Sequence, residues 1–263
     1  MLSQTVLMST IEELLHRRTD LSTFLVHLTR AAEGKTARDN LLSIAHDGAL
    51  QARTALGPAA QLEVHLAGTP ATQKVVCFTE TPLEHTWMLL QQIDGRTIQF
   101  EPYGLAITKT TARKAHFNPV WYSDISTRGG RDWPVASVDK LVASAEQRAK
   151  RHDGSVDVNL LAMEPILLLT PFFEQMGPIR QGRKEFWWER EWRHVGEYRL
   201  AFPSRIVAVF APEADHPLFR QDLEQRNERW ARRPLLDPTW GLERMIAELS
   251  NIDSDEMGPF PHR

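Results

Sequence analysis

The chain has 263 residues, 42% of them hydrophobic and 25% charged, with a formal net charge of −3. These are the values of a soluble globular protein large enough to bury one elaborated core, and they give no global pull toward nucleic acid or anionic membrane. The single cysteine, Cys77, excludes an internal disulfide and a cysteine-based metal cluster, and it fits a reducing cytoplasm. No stretch approaches the roughly 18 consecutive apolar residues of a membrane span. The N-terminus carries Glu12 and Glu13 and no cleavable apolar segment, so no secretory signal is expected.

In chain order, residues 5–18 read as an amphipathic helix with Ile11, Leu14 and Leu15 on its apolar side. Residues 24–30 read as a strand whose alternation puts His27 and Thr29 on one face. A short helix follows over 38–48, capped at its C-terminus by Gly48. Residues 55–70 read as a loop and 75–79 as an apolar strand. A helix is expected through 84–91, then a strand over 103–109, a helical turn at 110–114 and a strand over 118–122. Residues 124–134 are polar and glycine-bearing, hence a loop, and 136–151 read as helical. Residues 160–173 predict a buried helix bounded by Pro165 and Pro171. A strand is expected at 205–210, and helix in two pieces over 215–249, split at Pro234–Pro238. The last dozen residues are polar and expected to be loose. Strands and short helices alternate without a regular βαβ rhythm, which favours α+β over a doubly wound sheet.

The most informative stretch is 185–194, Glu-Phe-Trp-Trp-Glu-Arg-Glu-Trp-Arg-His. As a strand it sends Phe186, Trp188 and Trp192 into a core, with Glu189, Glu191 and Arg193 together on the opposite face. The two carboxylates then stand roughly 6.5–7 Å apart along the strand. Arg190 falls on the tryptophan side and needs a partner there. A helix would instead make Glu189 and Arg193 an i,i+4 pair, worth about 0.2–0.5 kcal/mol. Phosphate loops, His-Glu-x-x-His and nucleophile-elbow motifs are absent, and the ten histidines lack metal-ligand spacing.

Four pieces occur together in order. They are Val26-His27-Leu28-Thr29 with Asn40-Leu41-Leu42-Ser43-Ile44 and Gly48; Cys77-Phe78-Thr79-Glu80-Thr81-Pro82-Leu83 with His85; Tyr103 to Lys109 with Asn118-Pro119-Val120-Trp121-Tyr122; and Glu189-Arg190-Glu191-Trp192-Arg193. Over about residues 24–200 this set resembles the AbiGi-type abortive-infection family of bacteria, described as the antitoxin side of a phage-resistance pair. The resemblance implies a phage-defence role and a partner protein from the same defence system. Trp230 and Trp240 are candidate anchors for such a partner.

More distantly, the layout resembles ADP-ribosyltransferases. That resemblance implies a split β-sheet core with surrounding helices over residues 1–212, a C-terminal helical extension over 213–263 packed on the same domain, and NAD as substrate. Mapped onto this chain, His27 and Thr29 would hold the ribose and nicotinamide side. Tyr103, or alternatively Phe78, would stack on the nicotinamide, Tyr122 being a further choice. Glu191 would be the catalytic carboxylate, with Glu189 its partner near a macromolecular acceptor, protein or nucleic acid. Arg193 or Arg30 would meet the pyrophosphate. The chemistry is consistent, because a carboxylate stabilises the positive charge that develops on the sugar as the nicotinamide–ribose bond breaks. The chain departs from that family's pattern in lacking a clear Ser-Thr-Ser on the middle strand. Lys109, Arg113, Lys114, Arg128 and Arg131 form a candidate basic rim for a nucleic-acid acceptor.

Overall fold

The structure is a computed structural model that describes residues 19–58, 60, 71–93, 98–126, 133–179, 182–200 and 205–252. The expected helix over 5–18, most of the loops at 55–70 and 124–134, Arg128 and Arg131, and the polar C-terminal dozen lie outside the described residues.

The N-terminal half follows its sequence patterns closely. Strand β1 (Phe24–Leu28) leads to helix α1 (Ala37–Asp47), then to short strands β2 (Ala49–Leu50) and β3 (Thr54–Ala55) and to β4 (Lys74–Thr79). Helix α1 begins with a capping box, in which the Thr36 side chain accepts from the Asp39 N–H and Asp39 accepts from the Thr36 N–H. It ends at Gly48 with φ 64°, a left-handed conformation that glycine adopts without a Cβ penalty. The expected helix at 84–91 is a 3₁₀ helix, Leu83–Leu90. Strand β5 (Gly104–Thr108) and helix α2 (Lys109–Lys114) follow. A Cβ on Gly104 would lie 2.3 Å from the His27 carbonyl oxygen, so only glycine lets β5 approach β1 so closely.

The strand expected at 118–122 is broken at Val120 into β6 (Asn118–Pro119) and β7 (Trp121–Asp124), which join different sheets. Helix α3 (Trp133–Arg148) precedes two short helices, α4 (Val158–Ala162) and α5 (Pro165–Leu169). These correct the expectation of one buried helix over 160–173. Pro165 starts α5 rather than bounding its end, as its missing N–H permits at the first helical turn. Leu161 and Leu167 are buried, but Leu160, Met163, Leu168 and Leu169 are all more than half exposed. Strands β8 (Phe173–Ile179), β9 (Gly182–Lys184), β10 (Glu191–Val195), β11 (Tyr198–Arg199) and β12 (Ile206–Phe210) follow. Helix α6 (His216–Ala231), strand β13 (Leu235–Leu236) and helix α7 (Leu242–Ser250) complete the described chain. The split between the two C-terminal helices therefore contains a strand, which pairs parallel to β12.

Among the described residues, eight strands form the main sheet in the order β13-β12-β5-β1-β4-β10-β6, with β3 also on β4. Its pairings are antiparallel apart from β12–β13. One face carries Leu25, Phe78, Leu105 and Ile107 against α1 and α6, with Leu41, Phe219 and Trp230 in the same core. The other carries Val26, Leu28, Ala106, Ala208 and Phe210 against the 3₁₀ helix (Leu83, Leu89) and α7 (Met245). This α+β arrangement is the alternation of buried strands realised on both faces. The sheet has a seam: β1 and β4 share one paired position, Val26 with Thr79, whereas β1–β5 and β10–β4 share five each. A smaller sheet, β7-β8-β9, lies with helices α3 to α5 around their own cores of Ala145, Ala149, Leu161 and Leu167, and of Val135, Val138 and Phe173.

Candidate functional site

The tryptophan-rich stretch is not one strand. Phe186–Glu189 is a turn of 3₁₀ helix, and Arg190 closes it in the left-handed conformation at φ 49°. Only from Glu191 onward is the chain extended. The two-residue alternation that would put Glu189 beside Glu191 on one strand face is interrupted there, so Glu189 lies in the turn and Glu191 in the strand, although the charges of both act on the Tyr122 hydroxyl. Trp188 and Trp192 pack on the two opposite cores, and Trp187 is 53% exposed. Arg190 finds the partner its position demanded, with Nη2 3.2 Å from Glu80 Oε1. Glu80 is buried and also meets Lys109 Nζ at 2.8 Å and the Trp192 indole N–H at 2.8 Å.

Glu191 and Arg193 do meet, as neighbours on one face of β10. The guanidinium grips the carboxylate at both ends, Nε to Oε1 at 3.0 Å and Nη2 to Oε2 at 2.9 Å. Its Nη2 also reaches Glu174 at 2.8 Å, and its Nη1 donates to the Pro171 carbonyl at 2.8 Å. Arg193 is 1% exposed. Burial works against its charge, but Glu191 and then Glu174 outweigh that and hold it protonated. The Tyr122 hydroxyl accepts from the Glu191 N–H. Burial first, and the Glu191 charge second, push its ionisation up. Cys77 stands opposite Arg193 across the β4–β10 pairing. Burial and Glu191 raise its thiol well above the ordinary value, which keeps it protonated and a poor nucleophile. The cluster thus ties the main sheet to β8, and the two oxygens of Glu191 are already engaged.

Strand register separates the remaining candidates from Glu191. Val26, Thr79 and Glu191 form one cross-strand row, so by alternation the next row, His27, Phe78 and Trp192, points to the opposite face. His27 lies 5.3 Å from the Phe78 ring, and its Nδ1 donates to the Cys77 carbonyl at 2.8 Å, beside the seam. Burial lowers its pKa. Thr29 is buried, its hydroxyl within hydrogen-bond distance of the Ala37 and Tyr103 carbonyls. Phe78 is 2% exposed. Tyr103 packs edge-on against Phe219, and its hydroxyl donates to Asp215. Arg30 is partly exposed just beyond β1. The structure therefore brings together Glu191 with Arg193, and His27 with Phe78, but places these two pairs on opposite faces of the sheet. Of the proposed partner anchors, Trp230 is fully buried, and the Trp240 indole N–H donates to Glu213 at 2.9 Å.

Sequence reasoning missed Glu174 and Glu80 as the counter-charges of the two arginines. Glu80 had a signal, since an arginine on an apolar face requires a buried carboxylate. Glu174 had none, being brought in by the pairing of β8 with β7. It also missed the apolar outer surface of α4 and α5, whose leucines read as core.

Comparison with known proteins gives one family. The model described as abortive phage resistance protein AbiGi, antitoxin, matches residues 63–221, more than half of the chain. No curated protein and no solved structure matches.

Proposed function

The chain belongs to the AbiGi family of abortive phage resistance proteins, and from that premise we propose that it is an antitoxin that works by binding its cognate toxin protein. The observation that carries this reading is the outer surface of α4 and α5. Within ten residues, Leu160, Met163, Leu168 and Leu169 expose 56%, 77%, 53% and 63% of their surface. Apolar exposure of this density marks a contact surface rather than scattered solvent-facing residues. It lies inside the segment matched by the family. Two ion pairs involve residues next to it in sequence, Arg148 with Glu164 and Arg151 with Asp157.

The NAD-dependent reading remains the rival. It asks His27, Thr29, Tyr103 or Phe78, and Arg30 or Arg193, to surround NAD beside Glu191 and Glu189, with a protein or nucleic acid as acceptor. Their distribution over two sheet faces lends it no support, and the grip of Arg193 leaves Glu191 little freedom to act on a sugar.

Neutralisation of the cognate toxin in growing cells separates the two. The expected pattern is that wild type and Glu191→Gln restore growth and the double variant Leu168→Asp/Leu169→Asp does not. The opposite pattern, loss in Glu191→Gln and retention in the double variant, overturns the binding reading in favour of catalysis.

A further inference from the structure

Leu141 of α3 is more than half exposed, like the four outward residues of α4 and α5. Helix periodicity fixes the side of α3 on which it stands. Val142, Ala145 and Ala149 form the inner side, in one core with Leu161, Ile166 and Leu167. Arg148 marks the flank beside α5, because its guanidinium grips Glu164, at the N-cap of α5, through Nε at 2.9 Å and Nη2 at 2.6 Å. Leu141 lies about two turns before Arg148 and so shares that flank. Leu168 lies about one turn after Glu164, and α5 runs back along α3, since Ile166 and Leu167 reach the core of Val142 and Ala145. Leu141 and Leu168 thus border one end of a groove between α3 and α5. Met163, next to Glu164 in the chain, stands at the other end. From Leu141 to Arg148 the groove extends about 10 Å at about 1.5 Å per residue.

The two ion pairs of this region are unequally exposed. Between Arg148 and Glu164, the arginine side chain is 58% exposed and the glutamate 18%. Between Arg151 and Asp157, the N-cap of α4, the values are 58% and 22%. Both pairs therefore keep their carboxylates inward and show solvent their guanidiniums. A guanidinium has more N–H groups than one carboxylate can take. Lys140, beside Leu141 in the chain, is also exposed. The acidic residues of α3, Asp139 and Glu146, fall on its opposite flank by the same periodicity. The groove is apolar, and the charge it offers a partner is positive.

We propose that this groove seats an amphipathic helix of the toxin, apolar toward Leu141, Met163 and Leu168 and acidic along the edges that meet Lys140, Arg148 and Arg151. The proposal rests on toxin binding by the face of α4 and α5, and adds to it helix α3 and the kind of segment bound. A groove of about 10 Å takes about two turns of helix, so partner residues spaced i, i+3 or i+4, and i+7 span it. Glu164 and Asp157 already hold the two guanidiniums in place, so pairing with a partner carboxylate costs little side-chain freedom. Opposite charge also speeds encounter.

Binding kinetics of the full chain with the purified cognate toxin, and hydrogen exchange of their complex, test the proposal. Leu141→Asp is expected to weaken the complex at least about tenfold. Arg148→Gln/Arg151→Gln is expected to slow association at least about fivefold at about 50 mM salt, with the rates converging at about 500 mM. Hydrogen exchange of the wild-type complex is expected to protect one helix of the toxin that carries acidic residues beside an apolar stripe. Thermal melts of the variants separate a lost contact from unfolding. Leu141→Asp affinity within about twofold of wild type, while Leu168→Asp/Leu169→Asp binds weakly, overturns the proposal and leaves toxin binding standing. An unchanged association rate of the double arginine variant at low salt, or protection confined to an extended or basic segment of the toxin, does the same. No complex with wild type overturns both.

Discussion

At the scale of single residues, Glu191 has a structural role as the partner of Arg193. Arg193 is buried with two carboxylates and a carbonyl, and removing one member of such a set leaves the others uncompensated. Arg193→Ala is expected to cost about 3–5 kcal/mol in urea unfolding, and Glu191→Gln, which keeps the shape and one acceptor, less than half of that. A fully stable Arg193→Ala protein would show that the cluster does not tie the sheets together. His27 sets a second expectation. Burial lowers its folded pKa below the ordinary 6.5, so between those values the unfolded chain holds more protons than the folded one. Stability is then present above about pH 6.5 and declines as pH falls through the window, with His194 contributing in the same direction. His27→Asn, which keeps a donor toward the Cys77 carbonyl, should reduce the difference in Tm between pH 7.5 and pH 5.5. An unreduced difference would assign the dependence to other groups. Arg190 shows what the sequence could reveal at this scale: its demand for a partner was readable, and Glu80 meets it. The face on which His27 and Glu191 stand was not readable, because it depends on the register of β1, β4 and β10, which no local pattern encodes.

At the scale of elements, strands with continuous apolar runs were legible, since Val75–Phe78, Leu105–Ile107 and Ile206–Phe210 are buried on both sides. Helix α1 was legible from its C-terminal Gly48, whereas the Thr36–Asp39 capping box at its start was not read from the sequence. The stretch around Trp188 was not, because aromatic residues fit a strand and a 3₁₀ turn equally, and the break rests on one residue in the left-handed region. Residues 160–169 misled for a related reason. Leucine density signals burial, but a helix broken by Pro165 into two short pieces buries Leu161 and Leu167, packs Ile166 partly against them, and leaves Leu160, Met163, Leu168 and Leu169 facing outward. Substituting outward residues touches no core, so Leu168→Asp/Leu169→Asp is expected to shift folding stability by no more than about 0.5 kcal/mol per site. A large loss of Tm in that variant would mean that these leucines pack within the fold.

At the scale of the molecule, the chain is a two-faced sheet with a seam at β1–β4 and a smaller layer of α3 to α5 with β7 to β9. The α+β class was readable from the irregular order of strands and helices. The parallel strand β13, which brings the segment after Pro234 into the main sheet, was not, because two leucines flanked by prolines carry no strand pattern of their own. Among the described residues no helix is long and apolar enough to cross a membrane. The family match and the apolar face of α4 and α5 fall in the same segment, and their coincidence is the basis of the account. The measurement that tests it most directly is the affinity of the purified protein for the purified cognate toxin, by calorimetry, for wild type and for the folded Leu168→Asp/Leu169→Asp variant. The account predicts a complex that the variant weakens by about a hundredfold or more, a difference of roughly 2.7 kcal/mol. Equal affinity in the two proteins, or no complex with wild type, would contradict it.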